Sequence, residues 1–190
     1  CHGGDPSAKS IEQAHAGVLH MSNKQSALHY QRQLETCGQC HREKRRLFVQ
    51  SKHYQALAAE RTAPTCSTCH PAMSRRPELR TIVLNACRTC HVEGNVDGLP
   101  LIADDAERIF NQLNIASGLL GWTRIHFESQ GWPNGSKDRV EQLEAQYLSI
   151  VDQVHRFDLQ QTSDEAVDIL ATLGEIFEEA RRARDRQNAN

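Results

Sequence analysis

Apolar positions fall into two textures along the 190 residues of the chain. Up to about Pro100 they come in short clusters broken by Gly, Pro, Ser and cysteine, which predicts short helices and loops. From Leu101 onward they recur at helical spacing. Ile102, Ala106, Ile109, Phe110 and Leu113 predict one helix, with Gly118 and Gly121 as the places where it stops or bends. Gly131 to Ser136 reads as a break. Val140, Leu143, Tyr147, Ile150, Val154 and Phe157 then line one stripe of a helix of about 20 residues. A third helix is expected to open on Thr162 and Glu165 in the capping-box arrangement. Its apolar face is Ala166, Ile169, Leu170, Leu173, Ile176, Phe177 and Ala180. The charged end, Arg181 to Asn190, is expected to fray. No strand-like alternation of useful length occurs, so the fold class expected is mainly α.

Composition changes this picture in one respect. Apolar residues are 38% of the chain and aromatic residues 5%, where an ordinary globular domain has roughly 45–50% apolar residues. Something besides side chains is expected to fill part of the interior. A net charge of -2 gives no reason to invoke nucleic acid or an anionic membrane as partner. No run of residues is long and apolar enough for a transmembrane helix.

The cysteines name the candidate filler. Six of the seven pair as Cys37 with Cys40, Cys66 with Cys69, and Cys87 with Cys90, each pair followed at once by histidine: His41, His70 and His91. In a C-x-x-C-H unit two thiols add across the vinyl groups of one haem and the adjacent histidine ligates its iron. Zinc is the strongest competitor, but it needs four ligands and places no demand on the residue after the second cysteine. With 10 histidines in 190 residues, three such histidines by chance is on the order of one in ten thousand. A redox-active C-x-x-C would come once, beside a βαβ pattern. Disulfides between residues three apart would close loops too small to constrain the chain.

Cys1 followed by His2 reads as the end of a fourth motif whose first cysteine lies upstream. The count of haem c is then four, and three at the minimum. A second account makes Cys1 the lipidated first residue of a mature lipoprotein. Residues 1–100 become a multihaem-binding region, and residues 101–190 a helical region packing on the haems or on a neighbouring subunit.

An electron-carrying haem normally has both axial positions filled. Met21 and Met73 are the only methionines, and Met73 lies too close to His70 to reach the opposite face of the same haem. Bis-histidine ligation is therefore expected, from His15, His53, His155 and His126, with His20 and His29 in reserve. Only 24 residues separate His41 from Cys66 and 16 separate His70 from Cys87. Tethers of that length hold neighbouring irons within roughly ten to fifteen ångströms in compact chain.

The motifs Cys1-His2-Gly3-Gly4-Asp5-Pro6, Ala14-His15-Ala16-Gly17, Cys37-Gly38-Gln39-Cys40-His41 and Phe48-Val49-Gln50-Ser51-Lys52-His53, with the closely spaced Cys66 and Cys87 units, resemble the multihaem cytochromes c. That family includes the hydroxylamine-oxidoreductase-like and octahaem cytochromes and related tetrahaem carriers. The resemblance covers about the first 100 residues. It implies periplasmic or extracellular electron transfer, with other redox proteins or further copies of the chain as partners, and His15 and His53 as distal ligands. It carries over no activity. There is no C-x-x-C-K of the nitrite-reductase kind, and nothing marks Tyr30, Tyr54 or Tyr147 for a cross-link to haem. Electron transfer is the leading expectation, and the alternative is an oxidoreductase subunit acting on a small nitrogen or sulfur compound at one open haem. A filament, in which a histidine of one copy ligates a haem of the next, is a third reading.

Overall fold

The computed structural model describes residues 3–59, 61–70, 79–92, 102–132 and 135–188. Among the described residues the chain is helical and contains no strand. Its contacts divide it into two compact units, Cys1–Cys90 and His91–Asn190.

The second unit is a three-helix bundle of α7 (Ile102–Gln130), α8 (Ser136–Gln153) and α9 (Leu159–Asn188). Among the described residues six shorter helices precede them. Ala106, Ile109, Leu113, Ala116, Leu120, Thr123 and Phe127 are the buried stripe of α7, and Ala166, Ile169, Leu173, Ile176 and Ala180 that of α9. Steps of three and four keep each stripe on one side of its helix, and the small alanines let the two helices approach closely. Val140, Leu143 and Ile150 of α8 complete the core. Ion pairs from Arg124 to Glu144, and from Arg139 to Glu175 and Glu179, run between neighbouring helices on the outside.

Three expectations change here. The first helix does not stop or bend out at Gly118 or Gly121 but runs through both. A glycine costs a helix about 1 kcal/mol relative to alanine, less than the burial of Ala116, Leu120 and Phe127 on either side returns. The second helix ends at Gln153, so Val154 and Phe157 lie beyond it: Val154–Arg156 is a 3-10 turn and Phe157 takes a left-handed φ of 57°. The third helix opens at Leu159, one turn before the expected capping box. Asp158 accepts the Gln161 N–H at 3.2 Å, while the Thr162 hydroxyl donates to the Asp158 carbonyl at 2.7 Å from inside the helix.

A Cβ added at Gly118 or Gly121 meets no heavy atom within 4 Å. Gly121→Ala is therefore expected to stabilise the bundle by about 0.5–1 kcal/mol, read as a higher denaturant midpoint at unchanged m-value.

The first unit is built differently. It strings together α1 (Ile11–Ala14), α2 (Gln33–Gly38), α3 (Arg42–Phe48), α4 (Lys52–Ala58), α5 (Cys66–Cys69) and α6 (Leu79–Cys90). α2 packs on α3 and on α5, and α5 packs on α6. Among its described residues only Leu47, Phe48 and Leu84 are buried apolar side chains, whereas Ser26, His29, Gln33 and Ser51 are buried polar ones. Three buried apolar side chains are a small core among the described residues of this unit.

Candidate functional site

Each C-x-x-C-H motif is folded on the end of a helix. Cys37 lies in the last turn of α2, with Cys40 and His41 just beyond it. Cys66 to Cys69 is the whole of α5, and His70 caps it. Cys87 and Cys90 close α6, with His91 next. In the first two motifs the histidine N–H donates to the carbonyl of the first cysteine at 2.9 Å, His41 to Cys37 and His70 to Cys66. Their histidines also leave the helix alike, at φ -96°, ψ 56° and φ -121°, ψ 69°. The intervening residues, Gly38-Gln39 and Ser67-Thr68, have nothing in common, so the shared turn belongs to the cysteine–histidine set itself.

The three motifs converge. Burial pushes the Cys66 thiol up to about 11, and the Cys37 side chain, in hydrogen-bonding contact with it, adds to the shift. Burial likewise pushes Cys69 up to about 11, with Cys87 close enough to contribute. Cys87 is raised by burial too. His70 is exposed by area, yet its basicity is lowered, first by desolvation and then by the nearby His41. All six described cysteines are free of disulfides. Held well above their ordinary range, Cys66 and Cys69 stay protonated at neutral pH, the reverse of a redox-active C-x-x-C, which attacks as thiolate. Among the described residues no group of three or more His, Cys, Asp or Glu side chains stands in metal-holding geometry, as a tetrahedral zinc site would require.

The chemistry of this donor set is compatible with haem: two thiols outside any disulfide and a following imidazole stand together in each motif, and few apolar side chains are buried around them among the described residues. Cys1, His2 and Met73 lie outside the described residues.

Hydrogen bonds sort the remaining histidines by which ring nitrogen carries the proton. The His15 Nδ1 lies 2.8 Å from the Ile11 carbonyl and the His155 Nδ1 3.0 Å from the Asp152 carbonyl. A carbonyl only accepts, so Nδ1 holds a proton, and in the neutral ring that is the tautomer able to bind a metal through Nε2. His29 is the other way round: its Nδ1 accepts the Gln31 N–H at 3.4 Å, which leaves the proton on Nε2. The His20 Nδ1 faces only Ser22, its hydroxyl at 2.9 Å and its N–H at 3.3 Å.

The surroundings of these histidines differ as well. His15 caps the C-terminus of α1, held there by the Asp5 N–H donating to the Ala14 carbonyl at 2.9 Å. Gly4, at φ 92°, makes that approach, and a Cβ there would run into the Ala14 carbonyl. His53 is half-buried on α4, next to Tyr54, whose ring meets Phe48 edge-on at 6.2 Å. His155 sits in the 3-10 turn between α8 and α9, not within a helix as its spacing from Val151 predicts. His126 lies face to face with Trp122, ring centroids 4.9 Å apart, in an aromatic cluster with Phe127. That stack gives His126 a packing role in the bundle.

Comparison with protein-family models, with curated proteins and with solved structures found no match. The site is thus read from its own residues, and one of those, Gln33, escapes a reading of the sequence. Gln33, 2% exposed, opens α2, and His29, 5% exposed, lies just before it. His29 belongs to a ribbon of turns with a period of three, in which the carbonyls of His20, Asn23, Ser26 and His29 each accept the N–H three residues on. The side chains of the same four residues each accept the N–H two residues on. The recurrence of side chains able to accept at every third position from His20 to His29 is the signal that would have found it.

Proposed function

We propose that this chain transfers electrons through covalently bound c-type haems, held by Cys37, Cys40 and His41, by Cys66, Cys69 and His70, and by Cys87, Cys90 and His91. The observation that supports this reading is the set of three helix-end C-x-x-C pairs with free thiols in the first unit, each followed by histidine, where only three apolar side chains are buried among the described residues. Haem supplies a one-electron couple and a large apolar body. The chain's part is to fix each iron on a short tether and to provide imidazoles from both sides. His15 and His155, in the ligating tautomer, lead as distal ligands, with His53 and His126 as further candidates. Cys1 and His2 would close a fourth site. Haem attachment to such motifs takes place outside the cytoplasm, so the chain is read as exported, periplasmic or extracellular. Its partners are other one-electron redox proteins or further copies of itself.

Intact mass of the purified protein tests the reading, since each occupied motif adds one haem. A colourless protein with the mass of the bare chain, or sulfurs holding zinc, overturns it. His15→Ala is expected to leave the haem count unchanged and to convert one low-spin haem to a high-spin form that binds carbon monoxide, whereas His20→Ala leaves the spectrum as it was. The unaltered protein is expected to ignore carbon monoxide and nitrite, and a response would favour the oxidoreductase alternative.

A further inference from the structure

We propose that Gln33 is a positioning residue that sets the spacing between the first and second attachment motifs. The inference rests on the electron-transfer reading above and deepens it.

Gln33 stands one helical turn before Cys37 on α2, and Ser67 directly follows Cys66 on α5. Across 34 residues of sequence the two meet twice: the Gln33 Nε2 donates to the Ser67 hydroxyl at 2.8 Å, and the Ser67 N–H donates to the Gln33 Oε1 at 3.0 Å. A third bond, Nε2 to the Leu28 carbonyl at 2.9 Å, fixes which way round the amide lies. Turning it over would set oxygen against oxygen and N–H against N–H. The Ser67 N–H belongs to the first turn of α5, where a helix has no acceptor of its own to offer.

This is a costly way to fill space. With 2% of its surface exposed, an amide must have every bond made to repay its desolvation, and an apolar side chain of the same size would pack with less risk. What the amide adds is register. Its bonds permit one alignment of α2 on α5, the alignment that brings Cys37 against Cys66. α5 also packs on α6, so the second motif stands between the other two, and Gln33 governs one of its two sides. With haem bound at both motifs, this register would fix the gap across which one electron passes, one iron oxidised as the other is reduced, with no bond broken and no proton moved.

The test uses holoprotein and reads the coupling of neighbouring haems as the exciton splitting of the Soret circular dichroism. Two backgrounds, both also carrying Cys1→Ala and His2→Ala to remove the fourth site, isolate the pairs: Cys87→Ala with Cys90→Ala leaves the first and second motifs, and Cys37→Ala with Cys40→Ala leaves the second and third. Gln33→Met is expected to keep the haem count by intact mass, to cut the splitting at least by half in the first background, and to leave it unchanged in the second. A splitting unchanged in the first background, or reduced equally in both, overturns the proposal. Should Gln33→Met not fold, Ser67→Ala removes only the hydroxyl contact and carries the same expectation at smaller amplitude, and no change there overturns the proposal just as well. Bare-chain mass for the unaltered protein would overturn the electron-transfer reading itself, an outcome that mass alone separates from the others.

Discussion

A chain in which Cys37, Cys40, Cys66, Cys69, Cys87 and Cys90 are all replaced by alanine is expected to lose the ordered structure of its first unit while the second unit keeps its helices. The argument is one of magnitudes. Ordering a residue's backbone costs roughly 1–2 kcal/mol, and fully burying one large apolar side chain gives about 1.5–3 kcal/mol. Among the described residues Leu47, Phe48 and Leu84 are the buried apolar side chains set against the ordering of α1 to α6 with the turns between them. The bonds that remain, such as the pair from Gln33 to Ser67, contribute about 1 kcal/mol each net of water. Thioether-bound haem would remedy this twice over, by supplying apolar surface and by cross-linking chain segments through iron. Hydrogen exchange read residue by residue is the measurement. Rapid exchange through α2 to α6 beside slow exchange in α7 and α9 is the expected pattern. Native-like protection of the first unit in the cysteine-free chain would show that it folds on side chains alone, and would remove the main support for haem as its filler.

How much of this could be read from the sequence depends on the range of the forces involved. The C-x-x-C-H motifs are signals of five adjacent residues, so they could be picked out without knowing the fold. The apolar stripes of the bundle were legible for the same reason, as each repeats along one helix. Failures came where tertiary packing outweighs local preference. Gly118 and Gly121 read as breakers, yet α7 runs through them, because the stripe from Ala116 to Phe127 is buried against other helices. The corner between α8 and α9 gave no warning, since phenylalanine is among the residues least expected at positive φ, and Phe157 is the one non-glycine among the described residues to adopt it. There the chain must reverse direction in five residues, Val154 to Asp158, and that constraint is invisible to periodicity.

The candidate distal histidines show the same division. That six histidines were to spare was plain from counting, but their order of merit was not. Proton placement separates them, and it depends on what each Nδ1 faces: a carbonyl four residues back for His15, three back for His155, an N–H two residues on for His29. Those partners follow from whether the local chain is helical or a string of turns. Gln33 was missed for a simpler reason. A lone glutamine reads as surface, and its partner Ser67 lies too far along the chain for any local pattern to join them.

Leu173→Ala is expected to destabilise the second unit by about 2–5 kcal/mol, a large part of the roughly 5–15 kcal/mol that holds a domain folded. Leu173 is fully buried on α9, in the cluster with Ile109, Leu113 and Ile169. The helices around it are long and fixed by several layers of contacts, so collapse into the vacated space is limited and the cavity remains. Val167→Ala, on the same helix but half exposed, should change stability by no more than about 0.5 kcal/mol. Thermal unfolding followed by circular dichroism at 222 nm compares the two. The same melt bears on the role of His155, which is held at the corner that α8 and α9 form together. If that imidazole ligates a haem, melting the bundle pulls it away, and the low-spin Soret band should shift at the lowered midpoint of Leu173→Ala and at the ordinary midpoint of Val167→Ala. A Soret band indifferent to the melting of the bundle in both variants would take His155 off the list of ligands.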